Sequence, residues 1–132
     1  MPSDNLTIVQ EMFERYVDGD ADAWWGRVHE DFEFHLSGAF VEDNIVVGVP
    51  AYQAYAGRAA DAWPDLEYID PVFQAAPGGE VLFTVTLSGG VGTDNRVLHR
   101  VAYVMVVKGE HLYRMFEHIN PAAAKRAVGL AS

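Results

Sequence analysis

Val101-Ala102-Tyr103-Val104-Met105-Val106-Val107-Lys108-Gly109-Glu110-His111-Leu112-Tyr113-Arg114-Met115-Phe116-Glu117-His118-Ile119-Asn120-Pro121 is the stretch whose reading decides the fold. Two runs rich in β-branched and aromatic residues flank a short polar turn. That pattern predicts an antiparallel pair over 95–107 and 111–119, with Pro121 as the stop. Successive strand residues face opposite ways, so Tyr113, Met115, Glu117 and Ile119 share one face, and Arg114, Phe116 and His118 the other. A carboxylate among apolar neighbours is costly unless it is partnered or has chemistry to do. Every residue from 101 to 107 is apolar or aromatic, as in a strand covered on both faces.

Six elements precede this pair, in the order helix, helix, strand, helix, strand, strand. Leu6, Val9, Met12, Phe13, Tyr16 and Val17 recur at three and four, predicting a helix over 4–18, with Ser3 or Asp4 at its start and Gly19 at its end. Asp20 or Asp22 caps a shorter helix through Trp24, Trp25 and Val28. Phe32 to Leu36 reads as a strand closed by Ser37-Gly38. Pro50, after Gly48, opens a helix to about Trp63. Strands follow over 66–74 and 80–88, with turns at Pro77-Gly78-Gly79 and Gly89–Gly92. Segregated helices and antiparallel strands indicate an α+β fold over a single domain, 1–132. Three helices can cover one face of the sheet only, so a second copy of the chain is expected on the other. The expected assembly is a homodimer.

Composition narrows the function classes. Nineteen acidic against nine basic residues give a net charge of −10, which argues against nucleic-acid and anionic membrane partners. No cysteine is present, which excludes disulfides, thiolate nucleophiles and Cys-based metal sites. With no apolar leader and no long apolar run, a cytoplasmic protein is expected. Histidines occur at 29, 35, 99, 111 and 118, and no pair has helix-ligand spacing. No glycine-rich phosphate loop and no nucleophile elbow is present. The expectation is no metal and no cofactor.

Four segments together resemble the NTF2-like superfamily and, within it, the SnoaL-like group. Tyr16-Val17-Asp18-Gly19-Asp20 resembles the end of the family's first helix, and Phe34-His35-Leu36-Ser37-Gly38 its first strand end. Gly48-Val49-Pro50-Ala51-Tyr52 resembles the approach to the third helix. Arg114 to Pro121 is similar to the closing strand of phenazine-pathway members. The resemblance implies a cone in which three N-terminal helices pack in a curved, mostly antiparallel sheet around an open-ended apolar cavity. It also implies cofactor-free chemistry on a small apolar metabolite, cyclic or polyketide-like, in biosynthesis. The reaction would be a cyclisation, an isomerisation or a lyase-type dehydration.

Glu117 corresponds to the acid/base glutamate of the phenazine-type strand. Its apolar setting agrees, since desolvation raises a carboxyl's pKa towards neutrality. His35 corresponds to the family's strand-end histidine, although it shares a face with Glu33 and the strand's parity leaves its direction open. If the Lys108-Gly109-Glu110 turn sets 107 opposite 111 and 101 opposite 117, His99 and Tyr103 flank Glu117 diagonally. Phe13, Tyr16, Trp24, Tyr55 and Trp63 on helical segments, with Met115 and Ile119 beside Glu117, are the candidate substrate-binding residues. Each of these aromatics equally suits an ordinary core. Two relatives fit less well. The donor tyrosine of ketosteroid isomerases falls near Met12 and their general base near His35-Leu36, and the Asp-Arg-Asp set of limonene epoxide hydrolases is not matched. The alternatives are a non-catalytic ligand-binding or dimerisation domain and an epoxide hydrolase.

Overall fold

The structure is a computed structural model in which the described residues are 3–36, 45–89 and 97–130, the side chains at 3, 4 and 97 excepted. The side chains of the expected caps Ser3 and Asp4, and the residues of the Ser37-Gly38 turn, the 90–92 part of the glycine turn and the strand start at 95–96, lie outside what the structure describes.

Helix α1 (Ser3–Val17) buries Val9, Met12 and Phe13, three and four residues apart. Gly19, at φ 96°, turns the chain out of it. Asp20 then caps α2 (Ala21–Trp25) by accepting from the Ala23 N–H at 3.3 Å. Val28, expected in that helix, instead opens β1 (Val28–His35), because α2 stops at the Gly26 cap and Val28 is buried opposite Leu112. β2 (Ile45–Val47), which the pattern did not announce, pairs with β1. Gly48 and Pro50 then start α3 (Val49–Ala62). β3 (Glu67–Ala75), β4 (Val81–Gly89), β5 (Val97–Lys108) and β6 (His111–His118) complete one six-stranded sheet in the order β2-β1-β6-β5-β4-β3. All its pairings are antiparallel except β1 with β6.

The inner face carries Phe32, Phe34, Phe73, Val81, Phe83, Val85, Tyr103, Met105, Leu112 and Met115. These form one core with Val9, Met12 and Phe13 of α1, Trp24 of α2 and Tyr52 of α3. Opposing residues on the outer face include Leu82 with Val104 and Thr84 with Ala102.

Two expectations are corrected here. Pro121 ends β6 but also opens a fourth helix, α4 (Pro121–Ala127), because the Asn120 side chain accepts from the N–H groups of Ala122 and Ala123. Ala124 and Val128 then pack with Ala76, Leu82, Ala102 and Val104. The chain's own C-terminal helix thus covers the outer face of β5 at Ala102 and Val104, a cover the expected three helices did not include. The β5–β6 register also differs from the expected one. Gly109 and Glu110, at φ 58° and 63°, form a two-residue turn that sets Lys108 opposite His111. A bulge then shifts the register between Val106 and Val107. Together they bring Tyr103, not residue 101, opposite Glu117.

Candidate functional site

The inner face of β5 and β6 holds a carboxylate and a phenol as direct cross-strand partners. Directly opposed side chains have Cβ atoms about 4.5–5.5 Å apart, and Glu117 and Tyr103 occupy such a pair. Next along β6, Met115 is buried and opposes Met105 on one side and Phe34 on the other. Phe34 presents its ring to Tyr55 at 5.5 Å and to Tyr103 at 6.2 Å between centroids. Phe83 stacks on Tyr103 at 5.9 Å and on Phe73 at 4.5 Å. α3 supplies Tyr52 and Tyr55, three residues apart and so on one helix face.

Electrostatics follow from that enclosure. Burial pushes the Tyr103 hydroxyl far above its ordinary value, and the Glu117 charge pushes it further, with smaller contributions from Tyr55, Tyr68 and Tyr52. Tyr55 is raised by the same two causes in the same order, and Arg58 partly offsets them. Tyr52 is raised by burial, although a hydrogen bond from Trp24 works the other way. Tyr68 is pushed up to about 12, mainly by desolvation, with its neighbour and hydrogen-bond partner Tyr16 adding to it. All four phenols are therefore held protonated, and two of them, Tyr103 and Tyr55, feel the Glu117 charge. A carboxylate beside neutral phenols can exchange a proton with a bound molecule while the phenols steady negative charge on its oxygens.

The sequence candidates divide by face. Tyr103, Tyr55 and Met115 share the inner face with Glu117. Phe13 is buried against Tyr68, Phe73 and Phe83, and Trp24 is buried against Tyr16, so both are core residues in contact with the tyrosine cluster. His35 is not brought to Glu117. It lies on the outer face opposite Phe116, stacks on that ring at 4.6 Å and bonds Glu33 at 3.1 Å, where Arg114 also reaches Glu33. Phe32 and Phe34 take the buried side of β1, which sends Glu33 and His35 outward. His99 is exposed and opposes Leu87, four residues along β5 from Tyr103, so the expected diagonal pairing with Glu117 does not form. Ile119 follows the end of β6 and is 59% exposed. Trp63 caps the C-terminus of α3, half-buried and outside the aromatic core. His118 faces outward opposite Ala102.

Sequence reasoning passed over Tyr52 and Tyr68. The first was announced by its spacing from Tyr55 on an expected helix, and the second only by strand alternation. Among the described residues no helix is long and apolar enough to cross a membrane, and no group of His, Cys, Asp or Glu is arranged to hold a metal ion.

No family model matches the chain, and no curated protein matches it. Solved structures do. An NTF2-like protein from Burkholderia xenovorans LB400 is 22% identical, over 96% of each chain, with a TM-score of 0.71. A candidate SnoaL-like polyketide cyclase from Jannaschia sp. CCS1 is 15% identical over 98% of this chain and 94% of its own, at 0.70. TerC, co-crystallised with polyporic acid, is 13% identical over 96% and 99%, at 0.73. The structural neighbours are NTF2-like and SnoaL-like proteins, and this chain shares their fold.

Proposed function

We propose that the protein is a small-metabolite enzyme of SnoaL-like type that performs cofactor-free acid/base chemistry on an apolar, cyclic or polyketide-like substrate. The carrying observation is the cross-strand pair of Glu117 and Tyr103, with Tyr55 coupled to the same carboxylate. Glu117 takes a proton from an activated carbon of the substrate and returns it to another carbon in an isomerisation, to the new alkoxide oxygen in a cyclisation, or to the departing hydroxyl, which leaves as water, in a dehydration. Tyr103 and Tyr55 donate hydrogen bonds to the oxygen that gains charge. The surrounding rings of Phe34, Phe73 and Phe83 suit a flat molecule. The co-crystal of TerC with polyporic acid supports this choice of ligand for the fold.

The test is a screen of cyclic β-dicarbonyl and polyketide-like compounds for proton exchange at carbon, followed by variants at the pair. Glu117→Gln should lower kcat by about 10²–10⁴, the range of a positioned acid/base. Tyr103→Phe should lower kcat by about 10²–10³, as loss of one donor to developing charge does. Full turnover by Glu117→Gln would remove the assignment. The same reading has the enzyme working in the cytoplasm as a homodimer. Leu98, 68% exposed, and Ile69 are among the exposed apolar residues of the outer face that offer a surface to a second copy.

A further inference from the structure

On the outer face of the sheet, away from Glu117, a groove of about 330 Å³ is lined by Val72, Gln74, Thr84, Arg100, Pro121 and Lys125. Three of its features point to a ligand. The first is charge: in a chain of net charge −10, two cations line one groove and no carboxylate does. Neither Arg100 nor Lys125 forms an ion pair among the described residues. The second is orientation. Arg100 lies across the strands because its Nη1 donates to Thr86 Oγ1 at 2.9 Å and to the Asp70 carbonyl at 3.3 Å. That leaves the remaining guanidinium donors free of partners among the described residues and fixed in direction. The third is an unmet hydroxyl. Thr84 is 6% exposed, and its Oγ1 has no hydrogen-bond partner among the described residues. A buried, unpartnered hydroxyl is costly, and valine would fill the same space on a strand without that cost.

We infer that this groove is a second binding site, for a small organic carboxylate. The carboxylate sits between Arg100 and Lys125, and one of its oxygens accepts from Thr84. Thr84 lines the groove, and to donate there its buried hydroxyl turns by one staggered well about χ1. Gln74 supplies an amide to the lining, and Val72 and Pro121 give the acid's apolar body its surface. A bare inorganic anion would leave that apolar wall unused.

The experiment is an NMR titration of the ¹⁵N-labelled full chain with benzoate, benzyl alcohol and inorganic phosphate. Benzoate should give saturable shifts at the amides of Thr84, Arg100 and Lys125, and should bind at least tenfold more tightly than the other two. Thr84→Val should weaken benzoate about 10- to 100-fold, the worth of one hydrogen bond to a charged group, without lowering the melting temperature. Arg100→Gln with Lys125→Gln should weaken it at least tenfold, whereas Glu117→Gln should leave it unchanged. The site is overturned if benzoate shifts cluster at Tyr103 and Glu117, if they do not saturate, or if phosphate binds more tightly. It is equally overturned if the double variant binds like the parent chain, or if its main effect is a change of molecular mass, which would make the groove a contact between copies.

Discussion

At the scale of single residues, the buried tyrosines make a measurable signature. An unfolded chain loses its phenolic protons near the ordinary pKa of 10.0, but the folded protein holds Tyr52 and Tyr103 protonated well above that and Tyr68 to about 12. Above pH 10 the unfolded state therefore binds fewer protons than the native state, and stability falls as pH rises. Below pH 10 this contribution is fully present. Once past pH 10, each fully buried phenol steepens the fall by about 1.4 kcal/mol per pH unit. Urea unfolding followed from pH 8 to 11.5 should show a flat region and then a decline. Absorbance near 295 nm should show these phenols ionising late or only with unfolding. In Glu117→Gln the Tyr103 and Tyr55 ionisations should move down, because a negative neighbour is removed, yet stay above the ordinary value, because burial is the larger cause. Unchanged titrations in that variant would mean the carboxylate and the phenols do not face each other. His35 makes the complementary case. Stacked on Phe116 and bonded to Glu33 on the outer face, it should tolerate His35→Ala with turnover within about twofold, the scale of an ordinary surface change well under 1 kcal/mol.

Individual elements show how far local signals reach. Asn120 bonds two N–H groups of α4, a helix of 7 residues that would not hold itself together without a cap and a packed face. Asn120→Ala should cost about 0.5–2 kcal/mol, and hydrogen exchange should speed in 121–130 before it speeds in β4 and β5. Uniform loss of protection would show that α4 does not open separately. α1, α3 and five of the strands were legible because amphipathic spacing, caps and turn residues agree along them. α4 was not, because Asn120-Pro121 is both a strand stop and a helix start, and only the packing of Ala124 and Val128 decides between them. β2 has three residues, too few to show a period. The candidate pair lay one step further out. Alternation placed Glu117 inward, but its partner depended on a two-residue turn and a bulge, each of which slides the register by one. His35 was misdirected by its resemblance to a family position, although Phe32 and Phe34 already claimed the buried side.

For the whole molecule, the decisive arrangement is a sheet with two different coverings. α1, α2 and α3 close the inner face around the aromatic core, and α4 closes part of the outer one over Leu82, Ala102 and Val104. The apolar run of β5 is thereby satisfied within one chain. If α4 is a cover, removing it should recreate the strand with an open face that the sequence alone suggests. A chain ending at Asn120 would expose Leu82 and Val104, residues whose burial is worth about 1.5–3 kcal/mol each, together with Phe116 at their edge. It should unfold at lower urea, and its mass in light scattering should rise with concentration as copies meet over the bared face. Ala124→Glu, which forces a charge into a fully buried position of the intact chain, should do the same with less of the surface exposed. The parent chain, with α4 in place, should keep one mass across that concentration range, whichever mass that is. If the shortened chain matched the parent in both stability and mass, α4 would not be the cover of β5, and the outer face would have to be satisfied by another copy after all.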